Sequence, residues 1–402
     1  MMRKPTIELV KGPSVAEQAV EIVERKGTGH PDSICDASME AVSIALSREY
    51  MKTFGQVCHH NIDKGLLIAG QVSKGFGYGK VVRPMELIIG DRATFSVGRR
   101  KIPVVDIATE AVTGWFSANL PMIDPATDLR IRVALAPGSI ELGDIFMRPG
   151  HVRGANDTSA AVGCAPVTPT EDAVYRVERL INSPGFKMRF PDTGTDVKVM
   201  GIRNGRDLDI TVACPLQARL IKDEQEYFHR KKALLREIQG LTRRFPFDNV
   251  KVNLNTLDKK GLGEAGAYLS VLGTSAEDGD SGQVGRGNRV NGVISLARPL
   301  GTEAAAGKNP VSHVGKIYSI LAHRIAHDIY ERVDGLKEVY VWLLSQIGAP
   351  IDRPKEIYVK LVPKGRREPV VIRKAVEAVV EGHISGIAAF TAALSRGEYP
   401  VC

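Results

Sequence analysis

One segment rich in glycine and arginine, Gly279 to Gly292, combines the residue types that bind phosphate groups. Its first nine residues include four glycines, and Asp280, Arg286 and Arg289 lie among or just after them. Glycine lets a backbone approach a ligand closely, and arginine binds phosphate oxygens bidentately. The GxGxxG spacing of dinucleotide-binding folds is absent. The segment therefore predicts a phosphate-binding loop that is not of the Rossmann type.

A lysine-bearing segment near residue 308 is only superficially like a P-loop. Five residues rather than four separate Gly301 from Gly307-Lys308, and Asn309 stands where Ser or Thr would hold magnesium. This excludes a P-loop kinase or ATPase. Because Pro310 suits a first helical position, we predict that a helix runs from there to about residue 333 and that Lys308 lies at its anion-attracting mouth.

A third candidate is the segment Gly27-Thr28-Gly29-His30-Pro31-Asp32. Pro31 is suited to start a helix, and the free N–H groups of a helix start attract an anion. His30 can donate a hydrogen bond to an oxygen that gains charge, and Asp32, one turn before Asp36, can serve a hard cation that bridges phosphates. The plainer interpretation, a dipole-complementing Asp32 beside a capping histidine, is equally open.

Other polar segments carry weaker signals. The turn from Pro137 to Ser139 offers backbone N–H groups and a hydroxyl to a nucleotide, although a plain strand exit explains it more simply. Asp157 can hold an ammonium group or a ribose hydroxyl, but Asx-turns of this composition are common. His323 and His327 lack a third ligand, so we interpret them as surface or subunit-contact side chains rather than zinc ligands.

The elements that must position these residues alternate without a strict βαβ rhythm, which favours an α+β fold. Periodicity predicts helices at 31–52, 104–119, 171–182, 217–241, 310–333 and 373–383. It predicts strands at 65–72, 85–89, 131–135, 196–200, 208–214, 250–255, 267–272 and 356–362.

Composition is ordinary for a globular protein: 402 residues, 43% hydrophobic and 25% charged, which suggests two or three domains. No apolar run approaches the ~20 residues that cross a bilayer, and the first residues do not form a secretory signal. Five scattered cysteines without CxxC spacing indicate reduced thiols, so we expect a cytoplasmic protein without a membrane partner.

The net charge of +8 fits either nucleic acid or an anionic small substrate such as a polyphosphate. A nucleic-acid-binding protein usually concentrates its basic residues in a stripe with interleaved aromatics. Here the positive charges are spread and intermixed with Glu and Asp, so a solvated basic surface is the simpler interpretation and no nucleic-acid partner is expected.

Six segments in order carry a specific family resemblance: Glu24 to Asp36, His59 to Lys64, Asn156 to Ser159, Lys198 to Gly201, Gly279 to Gly292, and Ala306 to Lys316. Together they closely resemble the archaeal S-adenosylmethionine synthetases, from near the N-terminus to at least Lys316. One such motif can arise by chance, whereas the ordered set is specific.

The resemblance implies three related sheet-plus-helix subdomains around a pseudo-threefold axis, here approximately 1–150, 151–265 and 266–402 and interleaved. It implies a homodimer or dimer of dimers whose active sites lie between subunits. The implied reaction joins ATP and L-methionine: the methionine sulfur attacks C5′, and the displaced triphosphate is hydrolysed to phosphate and diphosphate. Mg²⁺ is required, and K⁺ commonly assists.

The resemblance also implies roles for four sets of residues. The catalytic set is His30, Lys198, Asp280, Arg286 and Lys308. The ATP-binding set is Pro137, Gly138, Ser139, Ile140, Glu141, Leu142, Gly143 and His313, within or beside a mobile loop. The substrate-binding set is Asp157 and Ser159, and the metal ligand is Asp32.

The chain departs from the family pattern at Ala160 to Cys164, where archaeal members usually have Phe-Gly-Val-Gly-Tyr; by the resemblance, we expect the loss of these aromatics to alter stacking on adenine or the fit of methionine, but not the reaction type. Two alternatives stay open. One is a catalytically impaired nucleotide-binding regulatory homologue, which the presence of His30, Asp32, Asp280 and Lys308 argues against. The other is a basic nucleic-acid-binding protein, for which no recognised module is present.

Overall fold

The computed structural model describes residues 4–138, 146, 152–365 and 369–401. Along these residues the helices are α1 (Pro31–Phe54), α2 (Val104–Asn119), α3 (Pro125–Asp128), α4 (Pro169–Ile181), α5 (Pro184–Arg189), α6 (Glu224–Thr242), α7 (Val314–Arg332), α8 (Pro369–Ser385) and α9 (Ile387–Ser395). Short 3-10 turns lie at Val15–Glu17, Ala218–Leu220, Gly263–Gly266 and Ser275–Glu277.

The longer strands are β1 (Thr6–Leu9), β2 (Val20–Lys26), β3 (His60–Ile68), β4 (Gln71–Gly75), β5 (Tyr78–Arg83), β6 (Met85–Ala93), β9 (Leu129–Pro137), β10 (Ala160–Ala165), β11 (Lys198–Asn204), β12 (Asp207–Ala213), β14 (Asn249–Leu254), β18 (Leu336–Leu344) and β19 (Glu356–Pro363). The two-residue strands are β7 (Ser96–Val97), β8 (Arg100–Lys101), β13 (Leu216–Gln217), β15 (Leu269–Ser270), β16 (Gly282–Gln283) and β17 (Ile294–Ser295).

Three main sheets form the framework. Sheet I has the strand order β1-β19-β18-β10, sheet II β14-β12-β11-β2-β17, and sheet III β16-β3-β6-β9. Helix α7 packs on sheet I, α4 and α6 on sheet II, and α1 and α2 on sheet III. The predicted α+β class, with three sheet-plus-helix units, is confirmed. Sheet II combines strands from all three predicted domain ranges, and the boundaries after residues 150 and 265 stay a prediction.

Helix α1 is the element that the sequence predicts best. It begins at Pro31 and ends at Phe54, two residues beyond the predicted end. Gly55 caps it in the left-handed conformation (φ 71°), and its N–H donates to the Met51 carbonyl at 2.9 Å. The predicted helix 104–119 is likewise confirmed as α2. Both helices cover sheet III because their apolar stripes match its buried face.

Two predicted helix starts are wrong. The helix predicted from residue 217 begins at Glu224, because Asp223 caps it and accepts a hydrogen bond from the Glu226 N–H at 2.7 Å. The helix predicted from Pro310 begins at Val314, where His313 is the capping residue. Lys308 therefore lies in a turn six residues before the helix and not at its mouth.

Two predicted strands are shorter or divided. The strand at 65–72 divides into β3 and β4, because the Ala69 N–H donates to the Ser281 hydroxyl (3.1 Å) and the Gly70 N–H to the Ala276 carbonyl (2.9 Å) instead of to a neighbouring strand. The strand at 267–272 shrinks to two residues, because the Glu277 carboxylate takes the N–H groups of Val271 and Leu272. The remaining predicted elements are present with shifted ends.

The C-terminal helices α8 and α9 close the chain, and α8 packs against α7. Within the described residues no single helix is long and apolar enough to cross a membrane. The bent pair Val370–Ser385 and Ile387–Ser395 meets that length and composition test only when both helices are counted together.

Candidate active site

The first group of candidate side chains lies where strand β2 meets helix α1. Lys26 ends β2 and is the register partner of Lys198, the first residue of β11. The backbone that follows Lys26 passes very close to the segment that precedes Lys198. The Gly29 N–H donates to the Thr195 carbonyl at 3.0 Å, and a Cβ on Gly29 would lie 2.7 Å from the Asp196 nitrogen. Glycine is required at this position, and it brings His30 beside Lys198.

His30 is the N-cap of α1, and its chemistry follows from that position. Its Nδ1 accepts a hydrogen bond from the Asp32 N–H at 3.2 Å. Burial and the positive charge of Lys26 lower the pKa of His30 to about 4, and the charges of Lys198 and Arg286 act in the same direction. The imidazole is therefore neutral at pH 7, and with Nδ1 as acceptor its proton is on Nε2, available for donation.

Asp32 is buried and has two partners. Its Oδ2 lies 2.9 Å from the Lys26 ammonium, and its Oδ1 accepts from the Gln283 N–H at 3.0 Å. Among the described residues no three His, Cys, Asp or Glu side chains form a metal-binding cluster. A resident cation cage is not built here, but Mg²⁺ binds commonly through one or two carboxylates plus substrate phosphates, and Asp32 fits that mode.

The glycine-arginine loop is bound to α1 by a second carboxylate. Asp36 accepts hydrogen bonds from the N–H groups of Gly285 (2.6 Å) and Gly287 (3.0 Å), and burial raises its pKa to about 7. A Cβ on Gly287 would lie 2.1 Å from Asp36 Oδ2. These amides therefore bind the protein's own carboxylate, so the interpretation that they approach phosphate is wrong. The exposed Arg286 side chain is what the loop presents.

Asp280 and Lys198 complete the first group from opposite sides. The Asp280 N–H donates to the Ser275 carbonyl at 2.9 Å, and Ser275 in turn donates its N–H and hydroxyl to the buried Asp196 carboxylate. Burial raises the pKa of Asp196 to about 6. Lys198 is partly exposed and lies 3.5 Å from Glu24. We call Lys26, His30, Asp32, Lys198, Asp280 and Arg286 the His30 group.

The second group surrounds Lys308, whose side chain is almost completely buried. Its ammonium pairs with Glu303 and lies 3.6 Å from Asp63 Oδ2. Ser159 donates its hydroxyl to the other Glu303 oxygen at 3.1 Å, so two residues predicted separately share one carboxylate. We call Asp63, Ser159, Glu303, Lys308 and His313 the Lys308 group.

His313 repeats at α7 the role of His30 at α1. Its Nδ1 accepts from the Gly315 N–H at 3.2 Å, and burial together with the charge of Lys308 lowers its pKa to about 3. Since the Val314 N–H donates to Asn156 Oδ1 at 3.3 Å, this helix start presents no free amide to an anion at these positions. The predicted anion-binding helix mouth is corrected accordingly.

A cavity of about 80 Å³ opens beside His313. Its lining includes His59, Asn156 and Ser312. Gly138, the predicted nucleotide turn, packs against it, since a Cβ there would lie 2.4 Å from His59 Nδ1. Pro137 ends β9. The other predicted ATP-binding residues, Ser139, Ile140, Glu141, Leu142 and Gly143, lie outside the described residues.

The remaining predicted positions are less integrated. The Asp157 carboxylate accepts a hydrogen bond from the adjacent Thr158 N–H at 2.7 Å, a contact with the next residue rather than the i+2 contact of an Asx-turn. The divergent segment Ala160 to Cys164 forms most of β10, where Gly163 allows close packing: a Cβ there would be 2.1 Å from the His323 nitrogen. His323 accepts from the Cys164 N–H at 3.3 Å. His323 is thus a packing residue rather than a ligand.

Sequence reasoning missed a stripe of buried polar residues on α1. Beyond Asp32 and Asp36, the next position on that face is Glu40, which binds the buried Lys316 ammonium (2.8 Å) and accepts from the Gly307 N–H (2.9 Å). One turn later Ser43 donates to the Lys308 carbonyl at 3.1 Å. The i, i+4, i+8 spacing of carboxylates was the available signal.

The two groups do not meet within one chain. No hydrogen bond or ion pair joins a member of the His30 group to a member of the Lys308 group in the described part of the chain. Asp32 belongs to the His30 group, and Ser43 donates to the Lys308 carbonyl; at the usual helical rise these two residues lie roughly 16 Å apart along α1. One helix therefore positions both groups but keeps them apart.

Comparison with known proteins identifies relatives along the whole chain. The family model described as "S-adenosylmethionine synthetase (AdoMet synthetase)" matches residues 3–398. The chain is similar to S-adenosylmethionine synthases from Pyrobaculum calidifontis (44% identity, 98% of each chain) and Aeropyrum pernix (42%, 100% of each). It is similar in fold to the "unusual S-adenosylmethionine synthetase" from Campylobacter jejuni, with a TM-score of 0.60 at 15% identity over 94% of each chain.

Proposed function

The chain belongs to the S-adenosylmethionine synthetase family, whose members are methionine adenosyltransferases, and we propose that its His30 and Lys308 groups together make S-adenosylmethionine from ATP and L-methionine. The methionine sulfur attacks C5′ of ATP, and the C5′–O bond breaks. The triphosphate leaves whole, and water then cleaves it to phosphate and diphosphate. The supporting observation is the concentration of cationic side chains around a neutral histidine at the start of α1.

The cations suit a leaving triphosphate better than a covalent intermediate. Lys26, Lys198 and Arg286 all lower the pKa of His30, which shows that their positive charges converge on its ring. A polyanion placed there would be attracted by the same charges. His30 Nε2–H can donate to the oxygen that gains charge as the C5′–O bond breaks, so catalysis depends on positioning and charge stabilisation.

Asp32 is the residue that we assign to Mg²⁺. Its carboxylate pairs with the Lys26 ammonium at 2.9 Å, so Mg²⁺ would bind there by sharing the carboxylate with Lys26 or displacing it. A metal ion bound there with the phosphates would neutralise triphosphate charge. K⁺ is retained as a proposal without assigned ligands.

The methionine and adenosine side of the site is assigned to the Lys308 group and its surroundings. The cavity beside His313, next to Gly138, offers neutral imidazoles and amides, but at about 80 Å³ it has room only for a polar edge of a nucleoside and not for the whole group. The exposed Asp157 carboxylate can hold the ammonium of methionine, and Ser159 lies beside it because the Ser345 hydroxyl contacts the backbone carbonyls of both residues, at 2.7 and 3.1 Å. Lys308 is the exception in its group: we assign its ammonium to the phosphates, for which it would exchange its Glu303 partner.

A homodimer would bring the two groups together, with the His30 group of one subunit facing the Lys308 group of its partner. The outward face of sheet III supports this proposal. Leu67 and Leu87 point into the core, whereas Leu66, which is 40% exposed, and the half-buried Ile68 and Ile88 alternate with them on the other face. The same face carries Glu86, Arg130 and Arg132 beside Ile88, so a second copy packed there would meet a mixed apolar and charged surface.

Mixed dimers test this arrangement directly. His30→Asn and Lys308→Ala should each abolish most activity, but a mixed dimer of the two variants retains one site without either substitution. Random co-assembly should therefore recover about a quarter of the wild-type rate. The matched control is a mixture of each variant with a double variant, which contains no unsubstituted site. No recovery in the first mixture would place both groups in one subunit's site.

Lys308 has a separate test. Lys308→Ala should reduce turnover more than tenfold by our proposal, because the buried ammonium has no substitute in the Lys308 group, and tripolyphosphate hydrolysis should fall as well. The exposed Lys101→Ala, on the β7–β8 hairpin, is the control. Phosphorus NMR with ATP, methionine, Mg²⁺ and K⁺ follows both steps, and unchanged turnover removes Lys308 from the site.

Binding measurements beside this assay separate the enzyme from the two alternatives. A regulatory homologue would bind ATP but form no S-adenosylmethionine. A nucleic-acid-binding protein would show DNA affinity that falls steeply with salt.

A further inference from the structure

A second cavity lies outside both groups, between the C-terminal half of α1 and helix α9. It has a volume of about 520 Å³, within the range of small-molecule sites. Ser47, Arg48 and Met51 contribute from α1, and Ala388, Thr391, Ala392 and Ser395 from α9. We call this cavity the arginine groove. None of its lining residues belongs to the His30 group or the Lys308 group.

The groove is strongly basic. Arg48, Arg153 and Arg396 line it, and among the residues that the structure describes no Asp or Glu does. Arg48 has no hydrogen-bond or ion-pair partner among the residues that the structure describes. Arg396 pairs with Glu398, but both side chains are more than half exposed, so that pair is weak and exchangeable.

Ser47 supplies an independent indication of a ligand. Its side chain is completely buried and lines the groove, yet its hydroxyl has no hydrogen-bond partner. A buried polar group without a partner destabilises a protein by about 1–3 kcal/mol. Since the hydroxyl has no solvent-accessible surface, an acceptor atom in the groove would satisfy it once a rotamer change turns Ser47 toward the groove.

The rest of the lining defines the body of the ligand. Met51, Val57, Val311 and two alanines of α9 make the floor apolar. We propose that the arginine groove binds a small organic anion, with its phosphate or carboxylate on Arg48 and Ser47 and its apolar part on this floor. Arginine binds such anions bidentately, and the apolar floor excludes a fully hydrated inorganic ion.

Phenyl phosphate is a suitable probe, measured by calorimetry on the full-length protein with Mg²⁺ and a saturating non-hydrolysable ATP analogue, which occupies the phosphate-binding groups without being turned over. We expect one site per chain. Arg48→Gln should weaken it at least about fivefold and Ser47→Ala about threefold, because each removes a bond to the anion. The exposed Arg99→Gln, on the β7–β8 hairpin, should leave it unchanged.

Three results would overturn the proposal: no binding of phenyl phosphate, binding that the ATP analogue abolishes, or binding that Arg48→Gln leaves intact. Circular dichroism of the Arg48 and Ser47 variants checks that they fold. Because Arg48 is exposed, its substitution should leave the spectrum unchanged.

Discussion

Glu40 and Lys316 form a buried ion pair beneath the turn that carries Lys308. Lys316 is 1% exposed and Glu40 8% exposed, and the two Glu40 oxygens lie 2.8 and 2.7 Å from the ammonium. Glu40 also accepts from the Gly307 N–H, and the Gly307 carbonyl accepts from the Ile62 N–H at 2.8 Å. The pair therefore joins α1, α7 and β3 at the residue before Lys308.

We predict that Glu40→Gln lowers the free energy of unfolding by about 3–5 kcal/mol, the usual consequence of leaving one buried charge without its partner. Glutamine has the same shape and keeps an oxygen for the Gly307 N–H, so the loss reports the charge rather than the hydrogen bond. Lys316→Met should destabilise as well. The double variant Glu40→Gln/Lys316→Met removes both charges and should be more stable than Glu40→Gln alone.

Guanidinium unfolding of the four proteins, followed by circular dichroism, gives a double-mutant cycle. We expect a coupling of at least about 1.5 kcal/mol, well above the ~0.5 kcal/mol within which independent sites add. Asp248 (55% exposed) pairs with Arg206 (71% exposed) at the surface, so Asp248→Asn should change the free energy of unfolding by less than about 1 kcal/mol. Additive single effects, or a Glu40→Gln protein as stable as the Asp248→Asn control, would refute the reasoning.

Three further predictions concern other parts of the structure. Gly287→Ala should reduce turnover by about tenfold or more, because its Cβ would meet Asp36 at 2.1 Å and displace the loop, whereas Gly240→Ala, where nothing lies within 4 Å, should not; steady-state kinetics decides. Burial raises the pKa of Asp196 from 3.8 to about 6, so the folded protein binds more protons than the unfolded chain between these pH values and loses up to about 3 kcal/mol of stability as pH rises through them. Asp196→Asn should remove this loss, and parallel plots of stability against pH for the two proteins between pH 4 and 7 would contradict the prediction. Burial raises the pKa of two thiols to about 11, so iodoacetamide at pH 8 should label them only after unfolding, as peptide mass spectrometry can show; these are Cys58 and Cys214.

The helices with strong local signals were predictable, and those whose ends depend on a cap were not. Pro31 and Gly55 delimit α1 by backbone conformation alone, which is local information. At α7 the sequence predicts a start at Pro310, but the helix begins only after His313. The His313 ring and the Asn156 side-chain oxygen accept hydrogen bonds from the first two N–H groups of the helix. Asn156 is 158 residues away, so no local pattern could reveal it.

Among the candidate site residues, the sequence determined which types of chemistry are available and to which family the ordered motifs belong. The sequence could not show which partner each polar atom binds. Glycines 285 and 287 are read as free phosphate ligands until the fold places Asp36 beneath them, and Ser159 and Lys308 look unrelated until Glu303 joins them.

What the sequence by itself determined is therefore local and ordered: the helix starts and stops set by proline and glycine, the α+β class, and the series of motifs that specifies the family. What the tertiary structure decided is pairing across long separations. Asp36, Glu40 and Ser43 acquire their roles only when α1 lies against segments some 250 residues later in the chain. The reason is physical: a buried polar group is defined by its partner, and that partner is supplied by the fold.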